Sequence, residues 1–182
     1  MKSRDYLHNL KAAFANLNYE AMDDAILAIR ETWKSGGQII TMGNGGSSLT
    51  ALHFINDWNK SIYLSSGISF RGRTLLDNIG LVMSYANDIS FEQIFAEQLK
   101  NILRPEDLVI GISGSGNSKN VINGILYANS IGAKTIGLCG FQGGELKNIS
   151  QIPVWVNVQD MQLVEDIHAI FGHIVMKALC EK

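Results

Sequence analysis

Two short segments rich in glycine and serine have the composition of anion-binding loops. The first, loop 1, is residues 43–48 (GNGGSS), and the second, loop 2, is residues 113–118 (SGSGNS). Backbone N–H groups in such loops point outward, glycine lets a ligand approach the backbone, and serine hydroxyls add hydrogen-bond donors. Neither loop has the Lys-Ser/Thr pair of a nucleoside-triphosphate loop or the third glycine of a dinucleotide loop. A small phosphate ester therefore fits the two loops better than ATP or NAD, although glycine and serine also form ordinary tight turns.

A second set of residues has side chains suited to acid–base or metal chemistry. His53 and Asp57 are four residues apart and so share one face of a helix, where they could hold a metal, act as an acid/base pair or form a plain surface pair. Glu165 and His173 lie eight positions apart, about 12 Å along an unbroken helix. One metal ion is hardly within reach of both from one chain. If both belong to one site, either a helix begins between them or a second subunit contributes.

Histidine and carboxylate groups beside a bound sugar phosphate suggest proton transfer next to a carbonyl. An aldose–ketose isomerase needs a base that moves a proton between C1 and C2 through an enediol. It also needs a metal ion or a hydrogen-bond donor that stabilises the enediolate oxygen. Asp57, His173 and a metal ion would supply both functions.

The elements that position these residues alternate between strands and helices. Short apolar runs predict strands at 38–42, 107–112, 135–138 and 152–156, with another near 73–76. Apolar residues at helical spacing predict helices at 19–33, 48–60, 119–131 and 161–179, with another starting at residue 79. A glycine-rich turn is expected at 140–144. The alternation predicts an α/β fold whose parallel sheet is covered by helices on both faces, with both loops where strands end.

Composition restricts the class of protein. The 182 residues are expected to form a single domain, residues 1–182, that begins with helices over about 1–36. Only 18% of the residues are charged, which favours a homo-oligomer over a lone monomer. A net charge of −2 and a pI of about 6.1 argue against a nucleic-acid partner. No signal or membrane segment is evident, so we expect a cytoplasmic protein in which Cys139 and Cys180 are reduced, buried thiols.

The order and spacing of the motifs resemble the sugar isomerase (SIS) family and, within it, the phosphoheptose isomerases. Loops 1 and 2 alone are typical of any SIS domain. The His53-Phe54-x-x-Asp57 motif, and the late helix bearing Glu165, Asp166, His168 and His173, are similar to the isomerase branch. Ala86-Asn87-Asp88 and Gly143-Gly144 match it as well.

The resemblance implies a fold, an assembly and a reaction. The fold is a three-layer arrangement with a five-stranded parallel sheet between helices. The assembly is a homotetramer with active sites between subunits, in which we expect the helices of residues 1–36 to pack. The reaction is the isomerisation of sedoheptulose 7-phosphate to D-glycero-D-manno-heptose 7-phosphate, for heptose, lipopolysaccharide or capsule sugar synthesis.

The resemblance also assigns roles to residues. The catalytic acid/base pair would be Asp57 and His173, and a zinc ion would be held by His53, Asp57, Glu165 and His173. Substrate and phosphate binding would fall to Asn44, Gly45, Gly46, Ser47, Asp88, Ser113, Ser115, Ser118 and Glu165.

Some positions depart from the family, and other functions remain open. The family usually has Glu at the position of Asp57, Gln at Glu165, Asp at Gln162 and Thr at Gly114. These differences keep the reaction class but make the substrate specificity less certain to follow the family.

Similar SIS proteins instead bind a protein partner, for example in controlling replication initiation, or bind a phosphosugar without turnover. The protein-binding kind lacks the isomerase carboxylate and the late histidine, which are present here as Asp57 and His173.

Overall fold

The computed structural model describes residues 2–181 as an alternation of strands and helices. The helices are α1 Ser3–Phe14, α2 Tyr19–Lys34, α3 Gly46–Ser66, α4 Ile79–Asp88, α5 Ile94–Ile102, α6 Lys119–Ser130, α7 Gly144–Ile149 and α8 Met161–Cys180. The strands are β1 Ile39–Gly43, β2 Gly72–Thr74, β3 Leu108–Ser113, β4 Lys134–Cys139 and β5 Ile152–Trp155. One 3₁₀ turn, Phe91–Gln93, precedes α5.

The five strands form one parallel sheet in the order β2-β1-β3-β4-β5, which confirms the predicted fold class. The chain runs from β1 to β2 on one side and then returns to place β3 on the other side of β1. The order therefore reverses between β1 and β3. In open α/β sheets, ligands bind at this switch point, outside the carboxyl ends of the strands.

Helices cover both faces of the sheet because neighbouring strand residues point to opposite sides. Ile39 packs in the core formed with α2, α3 and α8, whereas Ile40 packs in the core formed with α5, α6 and α7. Cys139 lies fully buried in this second core, where burial raises the pKa of its thiol to about 12. The prediction of a small buried hydrophobe is confirmed for Cys139 and wrong for Cys180, which is only partly buried at the end of α8.

Several boundaries differ from the sequence-based expectation. Helix α3 extends to Ser66 instead of residue 60, because nothing interrupts it before Gly67, whose φ of +72° ends the helix. β2 begins at Gly72 and is only three residues long. Helix α5 was not predicted, since its nine residues are too few for a clear helical period. The glycine-rich turn at 140–144 continues directly into the short helix α7.

The ends of the fold are fixed by polar contacts. On α1, the Tyr6 hydroxyl donates to Asp166 of α8 at 2.6 Å, and this bond and the Asp166 charge raise the pKa of Tyr6 to about 12. At the sheet edge, Asn59 of α3 donates to the Gly72 carbonyl at 3.0 Å and accepts from the Gly72 N–H at 2.9 Å.

None of the helices within residues 2–181 has the length and apolarity needed to cross a bilayer.

Candidate active site

Loops 1 and 2 lie side by side at the switch point of the sheet. β1 and β3 are paired through their last residues, with Gly43 opposite Ile112. Each strand leads through its loop into a helix, α3 from Gly46 and α6 from Lys119. The first turn of a helix leaves backbone N–H groups without partners, and its dipole favours an anion. The structure thus brings two helix N-termini and two glycine-rich loops to one place.

Loop 1 turns sharply into α3. Gly45 has a φ of +52°, a conformation that glycine adopts without strain. Gly45 and Gly46 are exposed, whereas Ser47 is buried in the first turn of the helix. The Ser48 hydroxyl donates to the Gly45 carbonyl at 2.7 Å, so Ser48 closes the turn. The exposed backbone of Gly45 and Gly46 is consistent with the predicted anion site.

Loop 2 is shaped by its own serines and asparagine. The Ser113 and Ser118 hydroxyls are 2.9 Å apart and hydrogen-bonded. The Asn117 N–H donates to the Ser115 hydroxyl at 3.2 Å. Ser115 is exposed. The predicted serines of loop 2 are therefore adjacent, and Ser115 is the one most open to a ligand.

Loop 2 also packs directly on the backbone of the segment that follows β4. Gly116 has a φ of +70°, and a Cβ there would lie 2.0 Å from the Gly143 carbonyl oxygen. The Leu146 N–H donates to the Gly116 carbonyl at 2.9 Å, and the Gly140 N–H donates to the Gly114 carbonyl at 2.8 Å. Glycine at position 116 is therefore required by both conformation and contact.

Three of the predicted reactive side chains meet between α3 and α8. Asp57 Oδ2 lies 3.1 Å from His53 Nε2 and 3.9 Å from His173 Nε2. The two imidazole rings lie edge to face, with centroids 5.1 Å apart. One ligand atom from each of the three residues falls within a span of 4.8 Å. This cluster, called the trio below, can hold a metal ion or exchange protons with a substrate.

Asn56, which sequence reasoning missed, orients the carboxylate of the trio. Its Nδ2 donates to Asp57 Oδ1 at 3.1 Å, so Oδ2 is the oxygen that faces both histidines. An asparagine beside an aspartate on a helix carries no distinctive pattern, and only the side-chain geometry reveals the contact.

Glu165 does not join the trio within this chain. Its carboxylate lies against loop 1, where a Cβ on Gly46 would be 2.6 Å from Glu165 Oε1. Helix α8 runs unbroken from Met161 to Cys180, so a helix start between Glu165 and His173 is excluded. The predicted roles of Glu165 as a zinc ligand and in substrate binding stay predictions.

Asp88 and His168 lie outside the trio. Asp88 is the exposed last residue of α4 and accepts a hydrogen bond from Asn87 Nδ2 at 2.8 Å. Its predicted contact with sugar hydroxyls stays a prediction.

His168 is 1% exposed, and neither ring nitrogen has a hydrogen-bond partner among residues 2–181. Burial lowers the pKa of His168 to about 4, and this effect outweighs that of the Cys139 backbone, which raises the pKa.

The sequence and fold match one family. The SIS domain model matches residues 4–140. A "probable phosphoheptose isomerase" from Thermoplasma acidophilum is 32% identical over 182 residues, which is 100% of both chains. The chain belongs to the SIS domain family. Within it, the chain falls among the phosphoheptose isomerases, since the enzyme of that name from Helicobacter pylori strain P12 is 33% identical over 167 residues, 91% of this chain and 85% of the relative.

Solved SIS structures share the whole architecture. A phosphoheptose isomerase from Francisella tularensis superposes with a TM-score of 0.90 at 24% identity and covers 100% of both chains. The phosphoheptose isomerase from Neisseria gonorrhoeae gives a TM-score of 0.87 at 23% identity, covering 97% of this chain and 93% of that one. These likenesses support the five-stranded sheet and its helix layers.

Proposed function

We propose that this SIS enzyme is an aldose–ketose isomerase that converts sedoheptulose 7-phosphate to D-glycero-D-manno-heptose 7-phosphate. The observation that carries the proposal is the trio of His53, Asp57 and His173, two of which lie on α3, the helix that begins at the anion site. Helix α3 begins in loop 1 and bears His53 seven residues later, about 10 Å along the axis. A phosphate bound at the loops therefore leaves an open-chain sugar free to extend its carbonyl end toward the trio.

The two loops would anchor the phosphate. Exposed backbone at Gly45, the hydroxyl of Ser115, and the N-terminal dipoles of α3 and α6 favour a dianion at this position, whereas the Glu165 carboxylate opposes one directly at Gly46. Glu165 lies over Gly46, where its carboxylate could accept hydrogen bonds from sugar hydroxyls. Binding energy at the phosphate end would hold C1 and C2 in place for the chemical step.

The trio would move the protons. In the ketose-to-aldose direction, one group takes a proton from C1 while another delivers a proton to the carbonyl oxygen on C2, which gives the enediol. Loss of the proton from the C1 hydroxyl and protonation of C2 then give the aldose. In the metal-free site, Asp57 and His173 would supply one base and one acid, and their 3.9 Å separation would let both reach neighbouring substrate atoms.

Zinc fits the donor set of the trio. Two imidazoles and one carboxylate that converge within 4.8 Å match the ligands of catalytic zinc, which leaves a position for substrate. His53, Asp57 and His173 would hold the ion. When bound, zinc would polarise the carbonyl and stabilise the enediolate oxygen. Glu165 as a fourth ligand would come from another subunit.

A homotetramer with active sites between subunits is proposed as well. Helix α4 is apolar yet has no buried residue, and its Ile79 and Met83 are 66% and 65% exposed. Leu49, in the first turn of α3 beside loop 1, is 68% exposed. Apolar surface of this kind marks an interaction site, and a second copy of the chain is the occupant we propose. The cytoplasmic location and the packing of residues 1–36 in the oligomer belong to the same proposal.

The test is the reaction itself, run in deuterated water with purified protein, with and without added zinc. Sedoheptulose 7-phosphate is incubated with the protein, and NMR follows the aldose phosphate and deuterium at C2. We expect product that carries deuterium, because a proton returned to C2 by a side chain exchanges with solvent. A folded oligomer that forms no product under either condition would overturn the proposal.

A further inference from the structure

Asn120, in the first turn of α6, bonds directly to Asn44 of loop 1. Asn44 Nδ2 donates to Asn120 Oδ1 at 2.7 Å, and Asn120 Nδ2 donates to Asn44 Oδ1 at 2.9 Å. Asn120 Oδ1 also accepts from the Val121 N–H at 2.9 Å. The two asparagines are 76 residues apart in sequence, and Asn120 is only 2% exposed. A buried amide engaged in three hydrogen bonds has a single fixed orientation.

The reciprocal pair also fixes what Asn44 can offer a ligand. An asparagine side chain has two N–H donors and an oxygen with two lone pairs. The pair uses one donor and one lone pair of Asn44, which leaves the second N–H directed away from Asn120. Asn44 is only partly buried, so this N–H is available to an anion in loop 1.

The same contact joins the two loops where the sheet no longer does. The β1–β3 ladder ends at Gly43 and Ile112, and beyond it both loops contain glycines with positive φ, Gly45 and Gly116. Glycine leaves such segments flexible. Among residues 2–181, the Asn44–Asn120 pair is a side-chain link from loop 1 to the helix that follows loop 2.

We propose that Asn120 is a positioning residue that sets the affinity of the protein for phosphate by fixing Asn44 and the spacing of the two loops. The inference rests on the phosphate site of the proposed function but concerns binding, not proton transfer. Asn120 acts through Asn44 and lies too deeply buried to contact the ligand itself.

The test measures binding of inorganic phosphate by titration calorimetry on the full chain. Asn120→Ala should weaken binding about tenfold, because phosphate would then have to order the freed Asn44 side chain and the loops as it binds. Asn120→Ser, which keeps a polar side chain at the helix start but cannot reach Asn44, should do the same if the alanine variant folds poorly. Asn123→Ala is the matched control, since Asn123 lies on the same helix and donates to the Glu92 carbonyl at 3.0 Å, away from both loops.

A double-mutant cycle separates positioning from a general loss of structure. In an Asn44→Ala background, Asn120→Ala should have little further effect on phosphate binding, because the residue through which it acts is gone. In turnover, KM for the sugar phosphate should rise while kcat stays within about threefold of wild type. Additive effects of the two changes, or phosphate binding by Asn120→Ser equal to that of Asn123→Ala, would overturn the inference. If the wild-type protein binds no phosphate, the proposed phosphate site fails together with it.

Discussion

Trp58 donates its indole N–H to the backbone carbonyl of Gly172 at 2.9 Å, and the bond is buried. Each partner is the immediate neighbour of a trio residue, Asp57 on α3 and His173 on α8. The third trio residue, His53, precedes Phe54, whose ring lies against Gly172, with Cε1 2.1 Å from where a Cβ would be. The contact between the two helices therefore sets the spacing of the reactive side chains.

Gly172→Ala should separate the helices and disperse the trio. The added methyl collides with the rigid Phe54 ring, so we expect a loss of about 1–3 kcal/mol in unfolding free energy. A displacement of about 1 Å at the trio should lower kcat about 100-fold. Urea unfolding and steady-state kinetics measure the two effects.

Gly124→Ala is the control for that substitution. It also adds a methyl within a helix, but the nearest atoms are the flexible end of Met42, 2.6 Å away, which can turn aside. Its activity should stay close to that of wild type. Equal losses of activity in the two variants would contradict the account of the α3–α8 contact.

Asp57→Asn should abolish most of the chemistry while keeping the shape of the side chain. Loss of the acid–base group predicts a fall in kcat of about 10²–10⁴-fold. Zinc affinity, measured by competition with a chelator, should fall by about 100-fold or more because a ligand is lost. The same change at Asp23, exposed on α2, should alter neither quantity, and zinc binding by Asp57→Asn at wild-type strength would exclude Asp57 as a ligand.

His168 should make the protein less stable in acid. Its pKa falls from the usual 6.5 to about 4 in the folded state, so between these values the unfolded chain binds a proton that the native chain does not. The free energy of unfolding therefore rises with pH across this window by about 3 kcal/mol in total, and it falls by the same amount when the solution is acidified.

The measurement is the pH dependence of urea unfolding from pH 7 to pH 4. In His168→Leu the loss caused by acid should be smaller than in wild type by about that 3 kcal/mol. The variant His8→Gln, at an exposed position, should lose as much stability as wild type. An unchanged pH dependence in His168→Leu would show that this histidine does not carry the effect.

Gly116→Ala should distort loop 2 and weaken phosphate binding about tenfold. An alanine there adopts an unfavourable positive φ and also meets the Gly143 carbonyl. Gly132 has a φ of +83° with nothing within 4 Å of a Cβ. Gly132→Ala therefore carries the conformational strain, about 1–2 kcal/mol, without the collision. Calorimetry should show normal phosphate binding for Gly132→Ala, and equal binding by both variants would rule out the collision as the cause.

The sequence was informative wherever a local pattern carried the signal. Strand, loop and helix follow each other in 38–60 and 107–131, and both loops are where the pattern predicts. The eight-residue spacing of Glu165 and His173 indicates that one metal ion is hardly within reach of both from one chain, and the two residues do lie on one continuous helix, α8.

Residues that act through distant contacts escaped prediction. Asn120 resembles any polar residue on a helix until the register of β1 and β3 brings it to Asn44. Gly172 gave a local signal, a glycine inside a helical pattern, but its partner Phe54 lies on another helix. Packing between elements that are far apart in the chain decides both cases.

The bonds between Asn59 and Gly72 have a consequence for how copies of this protein can associate. β2 is an edge strand, and its residue Gly72 turns its N–H and carbonyl away from β1. The Asn59 amide occupies both groups, as an adjacent strand would. A sixth strand from another molecule finds no free donor or acceptor at this residue, so the sheet is closed to extension there. At Gly72 this edge of the sheet is thereby protected from strand-to-strand aggregation.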